Sequence, residues 1–228
     1  MQNKTKTQVT DGGNMKVALA YIFDMDGVII DSEPIHFEVD IQTMEHYGLS
    51  ITHEQLERFV GMTNPEMWAI LKQEYPLPDT VEEIIEVQLA NKISKLRASS
   101  LTPIDGIAQL LHELNRRNIP IGLASSSPRR FIMEVLSKFQ IERYFQAVVS
   151  GEEVAKGKPA PDVYYEAARL LGVAPERCVV IEDSRNGIKA AKAAGMQCIG
   201  FVNENSGNQD LSAADRIVTS IREIKLGA

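Results

Sequence analysis

Five short apolar runs, separated by helical patterns, constrain the fold of this chain more than any other feature of its sequence. Short, predominantly apolar runs are typical of strands that are buried on both faces of a parallel sheet. The predicted strands are residues 17–23, 119–124, 147–150, 178–182 and 198–202. Helical patterns lie between most neighbouring strands, at residues 106–117, 128–139, 162–171 and 184–194. This alternation predicts an α/β fold with a doubly wound parallel sheet.

Individual residues mark several of the predicted helix ends. Ser127 is a plausible N-cap for the helix at 128–139, with Pro128 in the first turn. Gly172 and Gly195 stand where two later helices are expected to stop, because glycine adopts the left-handed conformation that often ends a helix.

Residues 32–100 interrupt the alternation because they contain no convincing strand. Apolar residues recur there at helical spacing, as in Ile84, Leu89 and Ile93. Four helices are predicted, at residues 34–47, 52–59, 65–75 and 80–96. We therefore expect a four-helix cap domain at 32–100, inserted after the first strand of a Rossmannoid core at 15–31 and 101–228. Residues 1–14 are expected to form a polar tail.

Charge and cysteine content exclude several kinds of protein. The chain has 24 Lys and Arg against 31 Asp and Glu, and its cations form no block of the kind that binds nucleic acid. No apolar stretch is long enough to span a membrane. Cys178 and Cys198 form no CxxC pair, so we expect two reduced, buried thiols. These features favour a cytoplasmic protein.

Two carboxylates, Asp24 and Asp26, directly follow the first predicted strand. In open parallel sheets the ligand site lies at the carboxyl ends of the strands. A carboxylate such as Asp24 can attack phosphorus as a covalent nucleophile. The alternation along the chain points Asp26 the same way, so it can protonate the leaving oxygen and later activate water. Gly27 allows the sharp turn that follows.

A second acidic pair, Glu182 and Asp183, ends the fourth predicted strand. These residues could simply be solvated or could cap the next helix. Together with Asp24 and Asp26, they predict a site for Mg²⁺, which prefers hard oxygen ligands. Such a metal would offset repulsion between the carboxylates and an anionic substrate.

A calcium-binding loop is an alternative for the segment that contains Asp24 and Asp26. Its spacing matches the later part of an EF-hand loop. The first ligand would then fall on Ile22, which has no side-chain oxygen, and a strand precedes the loop where a helix is required. The sequence therefore favours the phosphoryl-transfer interpretation.

Candidate phosphate-binding groups follow the second and third predicted strands. Ser125 and Ser126 come at the end of the second strand, where a hydroxyl can bond a phosphoryl oxygen. Lys158 lies in a loop stiffened by Pro159 and Pro161, which helps to aim its ammonium group.

Taken together, these residues resemble the haloacid-dehalogenase-like superfamily. The resemblance rests on Phe23-Asp24-Met25-Asp26-Gly27-Val28, Ser125, Lys158-Pro159 and Glu182-Asp183-Ser184. The helical insert looks like the cap of the subgroup that contains β-phosphoglucomutase and small sugar-phosphate phosphatases.

The resemblance implies a role for each of these residues. It implies Asp24 as nucleophile, Asp26 as general acid and base, and Ser125 and Lys158 as phosphate holders. It also implies Mg²⁺ on Asp24, Asp183 and the backbone carbonyl of Asp26, with Glu182 nearby.

The resemblance does not decide between phosphatase and mutase activity. Mutases of this subgroup carry an arginine on the cap where this chain has Asn64, although Arg129 or Arg130 could compensate. Glu33 belongs to a run similar to that of hexose-phosphate phosphatases, and His36 falls where relatives carry a histidine near the acid/base. The candidate substrate contacts are therefore Glu33, His36, Asn64 and Arg129.

The favoured function is a Mg²⁺-dependent phosphatase that hydrolyses a small phosphomonoester, such as a sugar phosphate, through an aspartyl-phosphate intermediate. The alternatives are a β-phosphoglucomutase-type mutase and a receiver-like signalling module phosphorylated on aspartate. We expect the partner to be a small phosphorylated metabolite, and the protein to be a monomer that binds neither nucleic acid nor membrane.

Overall fold

A computed structural model describes residues 18–226, and its centre is a six-stranded, fully parallel sheet. The strands are β1 Ala20–Phe23, β2 Ile121–Ser125, β3 Ala147–Ser150, β4 Cys178–Glu182, β5 Gln197–Phe201 and β6 Arg216–Val218. Their spatial order is β3-β2-β1-β4-β5-β6. Because the order reverses between β1 and β4, a ligand cleft is expected outside the carboxyl ends of these two strands.

Helices cover the sheet and fill the segment between β1 and β2. They are α1 Glu33–His46, α2 His53–Leu56, α3 Asn64–Glu74, α4 Val81–Ala98, α5 Ile107–Arg116, α6 Arg129–Phe139, α7 Asp162–Leu171 and α8 Arg185–Ala193. The predicted α/β fold is confirmed, with helix ends that differ from the predicted ones by a few residues. The predicted tail at 1–14 lies outside the described residues.

Local capping explains where several helices begin and end. Thr52 and Thr80 begin α2 and α4 with capping boxes, in which the threonine hydroxyl accepts a backbone N–H one turn later. Gly172 and Gly195 follow α7 and α8 with φ values of 67° and 74°, as predicted.

The predicted N-cap at Ser127 is wrong. Pro128 occupies the cap position of α6 and makes no side-chain cap bond. The Ser127 hydroxyl instead donates to Asp26 Oδ2 at 2.8 Å. The helix begins one residue later than predicted, and the hydroxyl donates to a charged acceptor at the sheet edge, which makes a strong hydrogen bond.

The sequence prediction missed β6. This strand has three residues and pairs with β5 at the edge of the sheet. Arg216 and the half-exposed Ile217 give it no continuous apolar run, because an edge strand contacts only one neighbour.

Alternate residues of the central strands pack on opposite faces of the sheet. Tyr21 and Phe23 of β1 belong to one apolar cluster, which includes residues of α5 and α6. Ala20 and Ile22 belong to a second cluster, which includes residues of α7 and α8. Burial on both faces explains why these strands are apolar throughout. Cys178 and Cys198 are free and buried, as expected.

Helices α1 to α4 share a third apolar cluster. The fully buried Trp68 of α3 lies in it, together with Met44 of α1, Leu56 of α2 and Ile84 of α4. Other residues of α1 and α4, such as Val39 and Leu96, pack instead with the first cluster beside the sheet. Within residues 18–226, no helix has both the length and the apolarity needed to cross a membrane.

Candidate active site

The carboxyl ends of β1, β2 and β4 bring the predicted polar residues together. Asp24 follows β1, Ser125 ends β2, and Glu182 ends β4 with Asp183 directly after it. Lys158 joins them from the loop between β3 and α7. All five side chains are buried. The expected convergence at this edge of the sheet is therefore observed.

Lys158 is fixed by three oxygen atoms. Its Nζ lies 2.7 Å from Asp24 Oδ1, 2.7 Å from Glu182 Oε1 and 3.1 Å from the carbonyl of Ala124. Burial opposes the charged form, but the carboxylates of Asp24 and Glu182 outweigh it and raise the pKa of Lys158 above its usual value. The ammonium group thus stays charged, with all three of its protons directed.

Glu182 holds Lys158 in place and is itself fixed, because both of its carboxylate oxygens accept hydrogen bonds from the protein. Oε1 also accepts the hydroxyl of Tyr164 at 2.9 Å. Oε2 accepts the backbone N–H and the hydroxyl of Ser184, at 2.9 and 3.0 Å. A Cβ on Gly187 would lie 1.5 Å from Oε1, so the start of α8 must carry glycine there.

Asp183 approaches the turn after β1 closely. Gly27 has φ +76°, and a Cβ there would lie 1.9 Å from Asp183 Oδ2. The same oxygen accepts a hydrogen bond from Ser206, which lies in the loop after β5. Glycine at position 27 is therefore required both by the backbone conformation and by the space that Asp183 fills.

The acidic residues have the donor set and the charge that a divalent cation requires. Carboxylate oxygens of Asp24, Glu182 and Asp183 lie within 4.8 Å of one another. Burial and the nearby Glu182 raise the pKa of Asp183 well above its usual value. Burial raises the pKa of Asp24 to about 8, even though the charge of Lys158 lowers it. The cluster is short of positive charge, so a hard divalent cation suits these residues.

Asp26 has a different environment from Asp24. Its oxygens contact Ser32 at 2.5 Å, His36 and Ser127 at 2.8 Å and Ser125 at 3.2 Å. Burial alone would raise its pKa, but the charge and hydrogen bond of His36 and the serine hydroxyls hold the pKa below its usual value. Two neighbouring carboxyl groups thus have different partners, a lysine ammonium group for Asp24 and hydroxyl groups with a histidine for Asp26.

A pocket lies between this sheet edge and the helical insert. The predicted site residues that line it are Asp24, Asp26, Glu33, His36, Asn64, Ser126 and Asp183. Apolar residues of the insert, including Phe37, Phe59 and Met67, form much of the opposite wall. Ser126 donates its hydroxyl to the carbonyl of Gly61 at 2.8 Å, which ties the pocket rim to the insert.

Arg129 is the predicted candidate that the structure does not bring into the site. Its guanidinium group pairs with Glu153 and donates to the carbonyl of Val148 at 2.8 Å. Arg130 pairs with Glu86 at 2.8 Å, also at an exposed position. Neither arginine lines the pocket, because each guanidinium group is paired with a glutamate at an exposed position.

Two groups of site residues were missed from the sequence. Lys92 of α4 lines the pocket, and its Nζ lies 3.0 Å from Asp40 Oδ1 of α1. Gln88, one turn earlier on α4, also donates to Asp40. The available signal was a pair of polar residues, four positions apart, on the buried face of a helix. Ser206 was missed because a single serine in a polar loop has no distinguishing signal in the sequence.

The fold and the site define an α/β protein with a buried acidic centre at the carboxyl edge of a parallel sheet. The chain belongs to the haloacid dehalogenase-like hydrolase family, whose family model matches residues 21–201. It is a phosphoric monoester hydrolase, and phosphatases of this family generally use a divalent metal ion.

The chain is similar to phosphatases and to a mutase. It is 34% identical over 180 residues to a phosphorylated carbohydrates phosphatase of Thermotoga maritima, covering 79% of this chain and 83% of the relative. It is 35% identical over 216 residues to a β-phosphoglucomutase of Bacillus subtilis, covering 91% and 92%. The crystal structure of CbbY from Rhodobacter sphaeroides in complex with phosphate superposes with a TM-score of 0.85 at 26% identity, covering 91% of this chain and 96% of CbbY.

Proposed function

We propose that this protein is a Mg²⁺-dependent phosphatase that hydrolyses a small sugar phosphate through an aspartyl-phosphate on Asp24. The observation that carries the proposal is the contrast between two carboxyl groups in one pocket. Asp24 is held by the buried ammonium group of Lys158, whereas Asp26 is held by hydroxyl groups and His36. This contrast suits a nucleophile beside a proton-transfer group.

In the first half of the reaction, a carboxylate oxygen of Asp24 attacks phosphorus while the bond to the leaving oxygen breaks. Asp26, whose contacts favour the charged carboxylate, passes a proton from His36 to that leaving oxygen. His36, with Nε2 at 2.8 Å from Asp26 Oδ1, is placed to deliver the proton and to take it back. In the second half, Asp26 removes a proton from water, which attacks the aspartyl-phosphate and releases inorganic phosphate.

Asp24, Asp183 and the backbone carbonyl of Asp26 would hold Mg²⁺, with Glu182 adding negative charge nearby. When bound, the metal supplies positive charge beside the transferring phosphoryl oxygens. Lys158 orients Asp24 and adds a fixed cation, and the hydroxyl groups of Ser125 and Ser126 would bond the phosphoryl oxygens. Because the donors are already held by protein contacts, little reorganisation is needed during the reaction.

The mutase alternative is supported by the Bacillus subtilis relative but not by the charges in the pocket. A phosphosugar mutase must also bind the second phosphate of a bisphosphate. Lys92 is the cation on the insert side of the described pocket, and Asp40 already neutralises it. Arg129 and Arg130 are both paired outside the pocket. These contacts favour hydrolysis of a monophosphate.

We further propose that residues 32–100 act as a cap over a core formed by 15–31 and 101–228. The shared apolar cluster of α1 to α4 and the position of Asn64 in the pocket wall support this division. We propose that the protein works as a cytoplasmic monomer. Size-exclusion chromatography with light scattering tests the monomer, since a dimer would double the measured mass.

An assay with the Asp24→Asn variant tests the catalytic proposal. We expect wild-type protein to release phosphate from members of a sugar-phosphate panel in Mg²⁺ and not in EDTA. Asp24→Asn should lose at least ~10³-fold in kcat, because the nucleophile is removed. Asp210→Asn changes an exposed carboxylate outside the pocket and is the matched control, expected to stay within about twofold.

The outcomes separate the candidate functions. Interconversion of glucose 1-phosphate and glucose 6-phosphate, with little phosphate release, would identify a mutase. Stable phosphorylation of Asp24 without turnover would identify a signalling module. Phosphate release by Asp24→Asn at the wild-type rate would contradict the covalent mechanism.

A further inference from the structure

Polar residues after β5 reach back to the turn after β1. The Asn203 side chain donates to the carbonyl of Gly27 at 3.0 Å. Asn205 donates to Asp31 Oδ2 at 2.5 Å. Ser206 donates its hydroxyl to Asp183 Oδ2. One short loop therefore contacts both segments that carry the acidic residues of the site.

The Ser206 hydroxyl is held in place by the protein itself. Ser206 is fully buried. The side chain of Asn203 accepts the N–H of Asn205 at 2.9 Å, and Gln209 donates to the carbonyl of Ser206 at 2.9 Å. The loop is thus closed by its own hydrogen bonds, and the direction of the hydroxyl does not depend on a bound ligand.

The contact with Ser206 gives the two carboxylate oxygens of Asp183 different surroundings. Oδ2 accepts the hydroxyl of Ser206 and fills the space that a Cβ on Gly27 would occupy. Oδ1 accepts no hydrogen bond from the residues that the structure describes, 18–226. A carboxylate held in this way presents one oxygen to a cation, and its side chain does not have to be ordered when the cation binds.

We propose that Ser206 is a positioning residue for the metal site, which fixes Asp183 in the orientation that binds Mg²⁺. This inference rests on the proposed Mg²⁺ site. Without the hydroxyl, Asp183 Oδ2 loses its hydrogen-bond donor, so the orientation of the side chain is no longer fixed before the cation binds. Partners of metal ligands typically change metal affinity about 10- to 100-fold when they are removed.

The test is the Mg²⁺ dissociation constant of Ser206→Ala, measured by isothermal titration calorimetry on the full chain without substrate. We expect Kd to rise at least ~10-fold relative to wild type. Ser212→Ala is the matched control, because Ser212 is exposed and its side chain bonds the carboxylate of the exposed Asp210. That variant should bind Mg²⁺ with the wild-type Kd.

A kinetic measurement separates positioning from general damage to the fold. In Ser206→Ala, the Mg²⁺ concentration for half-maximal phosphate release should rise with Kd, while kcat at saturating Mg²⁺ returns to within about threefold of wild type. A loss of kcat that saturating Mg²⁺ does not restore would overturn the positioning role.

The calorimetry distinguishes failure of this inference from failure of the proposed function. If wild-type protein binds Mg²⁺ and Ser206→Ala binds it with the same Kd, the metal site stands and the role of Ser206 is wrong. If wild-type protein binds no Mg²⁺, the metal site itself is wrong and the role of Ser206 falls with it.

Discussion

At the scale of single residues, the site contains more buried carboxyl groups than buried cations. Asp24 and Glu182 share the ammonium group of Lys158, whereas Asp26 has its own set of donors. Glu33 also lines the pocket and is buried. Burial and the charge of Asp26 raise the pKa of Glu33 to about 8, although the charge of Lys92 lowers it. Because buried carboxyl groups outnumber buried cations, the free energy of unfolding depends on pH.

We predict that Glu33 makes the protein less stable as the pH rises. The pKa of Glu33 in the folded protein, about 8, lies above its ordinary value of 4.5. The contribution of Glu33 to the free energy of unfolding is therefore fully present below pH 4.5 and is lost as the pH rises through 8. In EDTA, the free energy of unfolding should fall between pH 5 and pH 8.5. The fall should be smaller by roughly 2 kcal/mol or more in Glu33→Gln, which cannot ionise.

Urea unfolding at the two pH values measures this difference. Glu54→Gln changes an exposed glutamate of α2 and should leave the wild-type pH dependence unchanged. Equal pH dependence in wild type and Glu33→Gln would show that Glu33 is ionised without penalty in the folded protein.

At the scale of elements, helices α1 and α4 face each other with two ion pairs of very different burial. Lys92 and Asp40 pair beside the pocket with side chains that are 4% and 7% exposed. Lys95 and Glu38 pair on the outer side of the same two helices, at 33% and 54% exposure. The two pairs allow a buried and an exposed interaction to be compared within one helix contact.

We predict that Lys92→Met destabilises the protein by about 3 kcal/mol, because it leaves the buried carboxylate of Asp40 without its cation. Lys95→Met, the matched control, should cost less than about 1 kcal/mol, since water screens the exposed pair. Urea unfolding at pH 7 measures both values.

A double variant tests the cause of the destabilisation. Lys92→Met combined with Asp40→Asn should recover part of the loss, because the unpaired charge is removed as well. Additive losses in the double variant would mean that packing of the lysine stem, and not its charge, is what the helix contact requires.

At the scale of the whole molecule, the acidic cluster joins segments that are far apart in the chain. Asp24 follows β1, Glu182 and Asp183 follow β4, and Ser206 follows β5. A cation bound between Asp24 and Asp183 holds these segments together only in the folded state. Metal binding is therefore linked to global stability.

We predict that Mg²⁺ raises the melting temperature of the protein. At a Mg²⁺ concentration of about 100 times Kd, linkage adds about 2.7 kcal/mol. For a chain of this size that corresponds to a rise of roughly 5–10 °C. Thermal unfolding in MgCl₂, compared with NaCl at equal ionic strength, measures the shift.

The same measurement on Asp183→Asn shows whether the shift comes from the site. This variant should lose most of the Mg²⁺-dependent rise in melting temperature. A rise of wild-type size in Asp183→Asn would mean that Mg²⁺ stabilises the protein somewhere else.

The fold could be predicted because its main elements have local signals. Strands buried on both faces must be apolar along their whole length, so five of the six strands were recognisable. β6 was not, because three residues at a sheet edge need no such run. Asp24, Ser125 and Asp183 were placed together because the carboxyl ends of parallel strands share one edge of the sheet.

The remaining features depend on contacts between segments that are distant in sequence. Ser127 bonds Asp26 across 101 positions and does not cap its own helix. Lys92 pairs with Asp40 only because α1 and α4 pack together. Arg129 pairs with Glu153 outside the pocket. The sequence by itself determined the order of elements and the residues at the strand ends, since local apolar pattern and parallel pairing dictate both. Only the tertiary structure decided which partner each polar side chain binds, because burial and geometry select one acceptor from many.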